Sequence, residues 1–244
     1  LGNPIERILT KLDNHNVLTD LSEKLSGSEF NSLLLEVFKL RAVKITPAQL
    51  LNEFESNRFV VPSAIDTIKD LELQCAWLKT ALQMGFVPVT LSPVAPLGTC
   101  SSVGTVSQNK VMSSVRGTEL VADATNVLAL KIAQEFKKTT SRDVVKFSAM
   151  HRHVRGQFFD IPSFTAHFGI FCMASGGIDR GSYTFELQQL NDHIGVILEL
   201  LKISFPTTGV RIEFSLKEQN EAFIQLLHKN GQAWSHLQTD FTTD

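Results

Sequence analysis

A chain of 244 residues with 43% hydrophobic content can bury a core without disulfides or metals to hold it together. Its formal net charge of −2 excludes a broad nucleic-acid-binding face, which requires dense Lys and Arg. Apolar runs such as 32–38 and 194–201 are broken by polar residues well short of the roughly 20 that span a bilayer, and three cysteines without CxxC spacing argue against a disulfide framework or a cysteine zinc site. No secretory signal is visible at the start, so the expected compartment is the cytoplasm.

From Pro4 to Leu51 apolar residues recur at helical spacing: Ile5, Ile8, Leu9 and Leu12, then Leu18, Leu21 and Leu25, then Leu33, Leu34, Val37 and Phe38. Ser28 followed by Glu29 suggests the start of a third helix, and Thr46-Pro47 is a helix-entry signal, so three or four short helices are expected before Pro62. Asp66 can cap a helix running to Met84, with Leu71, Cys75 or Ala76, Leu78 and Leu82 as its buried stripe and Gly85 as its stop. A strand is predicted over 86–91, followed by loops and short hairpins through Gly117, and helical spacing returns over 126–136.

Strands are predicted over 144–157 and 167–175, forming an antiparallel pair across a loop holding Asp160 and Pro162. A helix over 186–202, a strand over 210–214 and a helix over 218–229 complete the chain.

On the first of the paired strands, alternation sets Phe147, Ala149, His151, His153 and Arg155 on one face. One reading of these cations is a solvated edge strand, where charge discourages aggregation. The other is a concave surface on which a half-buried Arg155 grips phosphate or carboxylate through two parallel hydrogen bonds, with His167, Gly169, Phe171 and Met173 supplied by the neighbouring strand. Phe171 then serves either as core or as a platform for a base. His151 and His153, two apart, would fit a metal site only with a third ligand across the hairpin, and hydrogen-bonded neutral histidines are the commoner arrangement.

Over about Ile68 to Gly231 the order of features resembles a class II aminoacyl-tRNA synthetase catalytic core, most closely the histidyl branch and its non-synthetase paralogues. The segment from Gly85 to Pro93 is similar to motif 1, Leu120 to Thr125 to the segment that contacts the amino-acid substrate, and Val154-Arg155-Gly156-Gln157 with the strand from His167 to motif 2. The resemblance implies an α+β fold with an antiparallel sheet flanked by helices, a helical leader at 1–64 and a synthetase-like core at 65–244. It implies Pro93 at a homodimer interface, Asp123 and Thr125 as amino-acid contacts, Arg155 as the catalytic phosphate clamp, and Arg155, Gln157, His167 and Phe171 around ATP with Mg2+.

The sequence departs from that pattern in places. Gln157 stands where motif 2 has an acid, Val121 and Ala122 precede Asp123, and no carboxylate follows Phe171. Ser175-Gly176-Gly177-Ile178-Asp179-Arg180 looks like motif 3 alone but sits too close to Arg155, so motif 3 is expected to be missing or to lie beyond Asp244. The implied functions are therefore an ATP-dependent ligase of the aminoacyl-adenylate type, or a non-catalytic paralogue that binds an amino acid or adenine nucleotide or regulates a partner. tRNA is a doubtful partner, since residues 1–62 are unlike a tRNA-binding module, and no membrane association is expected.

Overall fold

The computed structural model describes residues 3–138, 143–157, 165–216, 221–231, 234 and 236–243. It is a mixed α+β structure whose contacts group the chain into two units interleaved in sequence, one of 1–62, 94–122 and 154–166, the other of 63–93, 123–153 and 167–244. Among the described residues no helix is long and apolar enough to cross a membrane. The Asp160–Pro162 loop and the start of the helix expected from Glu218 lie outside the described residues.

The first unit opens with α1 (Pro4–Leu12), a single turn α2 (Val17–Thr19) continued by a π-helical turn at Asp20–Lys24, α3 (Gly27–Ala42) and α4 (Pro47–Ser56). Their ends are set locally. The Asn3 side chain accepts the Ile5 N–H ahead of Pro4 in α1, and Ser26 with Glu29 and Thr46 with Gln49 form reciprocal capping boxes. The cap of α3 is thus Ser26, two residues before the Ser28 start expected from sequence. None of these helices contains a buried residue.

The same unit holds a small antiparallel sheet in the order β2 (Val94–Pro96), β4 (Thr118–Leu120), β3 (Ser113–Ser114), with the short helix α6 (Thr99–Val103) between β2 and β3. Asn31 of α3 accepts the Arg116 backbone N–H at 2.6 Å, tying the leader to the loop before β4.

In the second unit α5 (Thr67–Gln83) is capped by Asp66, whose carboxylate accepts the Lys69 N–H at 3.2 Å, and Gly85 takes the left-handed φ of +89° that ends it. The buried side of α5 differs from the expectation. Trp77 and Ala81 face a core with Phe86, Phe171, Met173, Val196 and Leu200, whereas Leu71 and Leu82 are about half exposed. Trp77 takes the inner position because its ring meets Phe171 edge-on at 5.9 Å and its indole N–H reaches Ser204 Oγ at 3.1 Å.

β1 (Val87–Pro88) pairs in parallel with β5 (Val145–Val154), which neighbours β6 (His167–Gly176). The strand predicted over 86–91 is cut to two paired residues, since Pro88 has no N–H to give and the last rung is Val89 N–H to Ser148 O at 2.8 Å. Cys172 lies opposite Ala149 and His167 opposite Arg152, so partners advance in opposite directions and β5 and β6 run antiparallel.

That pairing corrects the expected faces by one residue. The face of Phe147, Ala149, His151 and His153 is joined by Phe168 and Cys172, with Gly176 beside Ile132 of α7 (Ala124–Lys138). Lys146, Met150 and Arg152 share their face with His167, Gly169, Phe171 and Met173. A one-residue slip between strands exchanges every side chain between faces, which is why the error is complete rather than partial.

α8 (Thr184–Ser204) lies on the second of these faces, where Lys146 Nζ meets Asp192 at 2.5 Å and Ser175 Oγ meets His193 Nε2 at 2.8 Å. A parallel pair, β7 (Ile212–Leu216) and β8 (Thr239–Thr243), is joined through α9 (Glu221–Asn230). The Gly176-Gly177 step, similar to motif 3 in sequence, has a packing cause: a Cβ on Gly176 would stand 2.3 Å from Ile132 Cγ2, and one on Gly177 would stand 2.4 Å from the Phe185 ring.

Candidate binding site

Arg155 is not on a half-buried strand. β5 ends at Val154, and Arg155 is exposed, with its backbone N–H on Ala166 O at 2.9 Å and its Nε on Ala122 O at 3.3 Å. Next to it, Arg58 donates to the carbonyls of Gly156 and, at 3.2 Å, Gln157. Arg155 and Gln157 belong to the first unit, and Asp123, Thr125, His167 and Phe171 to the second.

Each of the latter has a local partner. The Asp123 carboxylate accepts both the N–H (2.9 Å) and the hydroxyl (2.7 Å) of Thr125, an Asx turn that opens α7. Phe171 packs on Trp77, and Pro93 is exposed. The histidine pair is also engaged: His153 Nε2 accepts the Ala124 N–H at 2.7 Å, capping α7, and His151 Nε2 donates to Ser92 O at 3.1 Å, carrying on where β1 leaves β5. Among the described residues no three His, Cys, Asp or Glu side chains converge as metal ligands.

The second unit does contain a cavity of about 370 Å3 between α5 and the Arg152 side of β5 and β6. Asp70 and Gln74 line one side, and Met150, Arg152 and Gly169 the other. Both charges are held in place. The His167 Nδ1 accepts from Arg152 at 3.0 Å (Nε) and 2.6 Å (Nη2), and the Asp70 carboxylate accepts from Gln74 Nε2 at 2.7 Å. A Cβ added at Gly169 would touch nothing within 4 Å, so the strand backbone is open to an approaching group there. The volume suits a small molecule, and a cation opposite an anion suits a zwitterion.

Sequence reasoning missed Arg152 and Asp70. The detectable signal was Asp70 four residues before Gln74 on one helix face, together with the strand alternation that sets Arg152 apart from His151 and His153.

Missed too was Glu119, 1% exposed in the first unit, whose carboxylate accepts the Gly98 N–H, the Cys100 N–H and Gln108 Nε2, each at 2.8 Å. Burial alone would raise its pKa, but these three donors outweigh burial and hold it below the usual carboxylate value. Glu119 thereby organises the loop around α6. In the second unit burial and the Asp123 charge push the Cys172 thiol up to about 11, which makes it unreactive at neutral pH.

No family model and no curated protein matches the chain. Solved structures similar to it include a pyrrolysyl-tRNA synthetase from Desulfitobacterium hafniense (17% identity, TM-score 0.43, 63% of this chain and 51% of that one). Another is a histidyl-tRNA synthetase from Nostoc sp. PCC 7120 (20%, 0.43, 58% and 33%). A third is an ATP phosphoribosyltransferase regulatory subunit/histidyl-tRNA synthetase from Bacillus halodurans C (14%, 0.44, 58% and 37%). These include the histidyl type that the sequence motifs resemble. The chain spans about a third to a half of the length of these proteins.

Proposed function

We propose that the chain is a synthetase-like paralogue that binds a free α-amino acid without activating it, in the cavity between α5 and β5–β6. The observation that carries this reading is the pairing of a fixed Arg152 with a fixed Asp70 across about 370 Å3. Arg152 takes the carboxylate through charge-assisted hydrogen bonds and Asp70 takes the ammonium. The side chain of the ligand lies along Met150 and the open backbone at Gly169. Engagement of Asp123 by Thr125 and of Phe171 by Trp77 favours binding over ligation, because two groups expected to serve an adenylation site have structural work.

Calorimetry with a panel of amino acids tests the reading. Binding weakens roughly tenfold or more in R152A and in D70N, the loss of one charge-assisted contact. The variant G169L, which fills open space, blocks binding while the thermal transition is kept. An unchanged affinity in all three variants would refute the site.

A second reading, an ATP-dependent ligase using Mg2+, has in its favour the exposure of the Arg155 side chain. It requires amino-acid-dependent pyrophosphate exchange that disappears in R155A. Binding without exchange leaves only the first reading.

A further inference from the structure

A second recess in the second unit, of about 540 Å3, lies in the groove between α8 and α9 and shares no residue with the cavity at Arg152. Thr184, Leu187, Gln188, Asn191 and Asp192 line it from the first turns of α8, and Leu226 lines it from α9. Its rim is fixed. The Tyr183 ring meets the Phe223 ring edge-on at 5.0 Å and so ties the turn before α8 to α9.

The lining is polar but has no unpaired cation. Asp192 is its one ionisable side chain among the described residues, and Lys146 Nζ takes Asp192 Oδ2 at 2.5 Å. A phosphate, or the carboxylate of an amino acid, would therefore lose its water there without gaining a partner. Among the described residues no aromatic ring lines the groove either, so a nucleobase has nothing to stack on.

What the walls offer instead is a set of donors and acceptors beside an apolar floor. Gln188 is exposed and makes no hydrogen bond among the described residues, and Asp192 Oδ1 likewise accepts none. The Thr184 hydroxyl donates to Gly181 O at 2.8 Å and keeps its lone pairs for an incoming donor. Gln188 and Asn191, three residues apart, are neighbours on the helix surface, and each carboxamide carries both donors and an acceptor. Leu187, 4% exposed, and half-buried Leu226 supply the apolar part.

We infer that this groove binds a neutral carbohydrate of one or two rings. A sugar ring carries hydroxyls around its edge and C–H groups on its faces, the same division of polar and apolar that the groove presents. One face lies on Leu187 and Leu226, a hydroxyl donates to Asp192 Oδ1, and adjacent hydroxyls pair with the carboxamides of Gln188 and Asn191. The volume falls within the range of small-molecule sites. The inference does not depend on what the Arg152 cavity binds.

Saturation-transfer NMR and calorimetry on the whole protein test it, with neutral hexoses, pentoses and their disaccharides as probes. At least one neutral sugar binds in the roughly millimolar range, and the phosphorylated form of the same sugar binds more weakly. Q188A, at an exposed side chain with no hydrogen bond to lose, weakens binding roughly fivefold and keeps the thermal transition. R152A, in the other cavity, leaves sugar binding unchanged. Failure of every neutral sugar to bind, tighter binding of the phosphorylated form, an unchanged affinity in Q188A, or loss of binding in R152A would each overturn the inference.

Discussion

α3 and α8 are both long, apolar-rich helices, yet they stand in opposite relations to the rest of the protein. α3 includes Leu33, Leu35, Val37, Phe38 and Leu40 and buries no residue, whereas α8 buries Leu187, Val196, Leu198 and Leu200. The difference lies in what holds each in place. The N-terminus of α3 is closed by its own Ser26–Glu29 box, while α8 has no side-chain N-cap and is held by burial and by Lys146–Asp192 and Ser175–His193. Apolar content alone does not make a core. It needs a partner surface, and α8 has α5 and the sheet.

Removing one ring from the core against which α8 packs and one from α3 itself gives the largest contrast. F86A, at a ring with 0% exposure, is expected to cost about 3–5 kcal/mol in denaturant unfolding, and F38A, 55% exposed, less than about 0.5 kcal/mol. A cost of several kcal/mol for F38A would mean that α3 is covered in solution, and the contrast would fail.

Next in size, E119Q is expected to cost about 1–3 kcal/mol, because an amide cannot accept all three donors around that carboxylate. Its effect belongs above the pKa of the carboxyl in the unfolded chain. The lowered folded pKa means that this stabilisation is complete there and is lost as pH falls through the folded value, so the wild type and E119Q converge in acid. S26A is expected to cost α3 about 1 kcal/mol, seen as faster amide exchange in that helix and not in α8.

The smallest expected effect is a slope. Burial, then the Lys146 charge, lowers the His193 pKa from its ordinary 6.5 against the opposing pull of Asp192. The unfolded chain therefore binds the extra proton between the folded value and about 6.5, so stability is full above that pH and declines below it. H193Q should flatten this part of the stability–pH curve, and an unchanged slope would remove His193 as its source.

What could be read from the sequence follows the same division between local and distant partners. Asp66, Thr46-Pro47 and Gly85 marked helix ends because a cap and its helix are adjacent in the chain, and the strands β5 and β6 showed by alternation. The facing of the strands did not show. Whether His151 stands with Phe171 or with Cys172 depends on inter-strand register, which the Asp160 loop does not encode in any turn signature. The stripe on α5 was seen but assigned to the wrong side, since periodicity reports an apolar face without saying what covers it. Glu119 left no mark at all, because a lone acid in a Ser- and Gly-rich stretch looks solvated and its three donors come from Gly98, Cys100 and Gln108. Arg155 was read as a charge on the half-buried strand itself, because its position past the strand end and its bond to Ala122 depend on residues far away in sequence.

The interleaving of the two units has a consequence for how the gene can be dissected. The chain passes from one unit to the other after residues 62, 93, 122, 153 and 166. No single cut therefore releases either unit intact. A fragment beginning at Ser63 retains all of the second unit but leaves 94–122 and 154–166 without the leader they are grouped with, including the Asn31 side chain that holds Arg116. A deletion boundary anywhere between residues 63 and 166 removes part of both units, and point substitutions are the finer instrument for assigning work to one or the other.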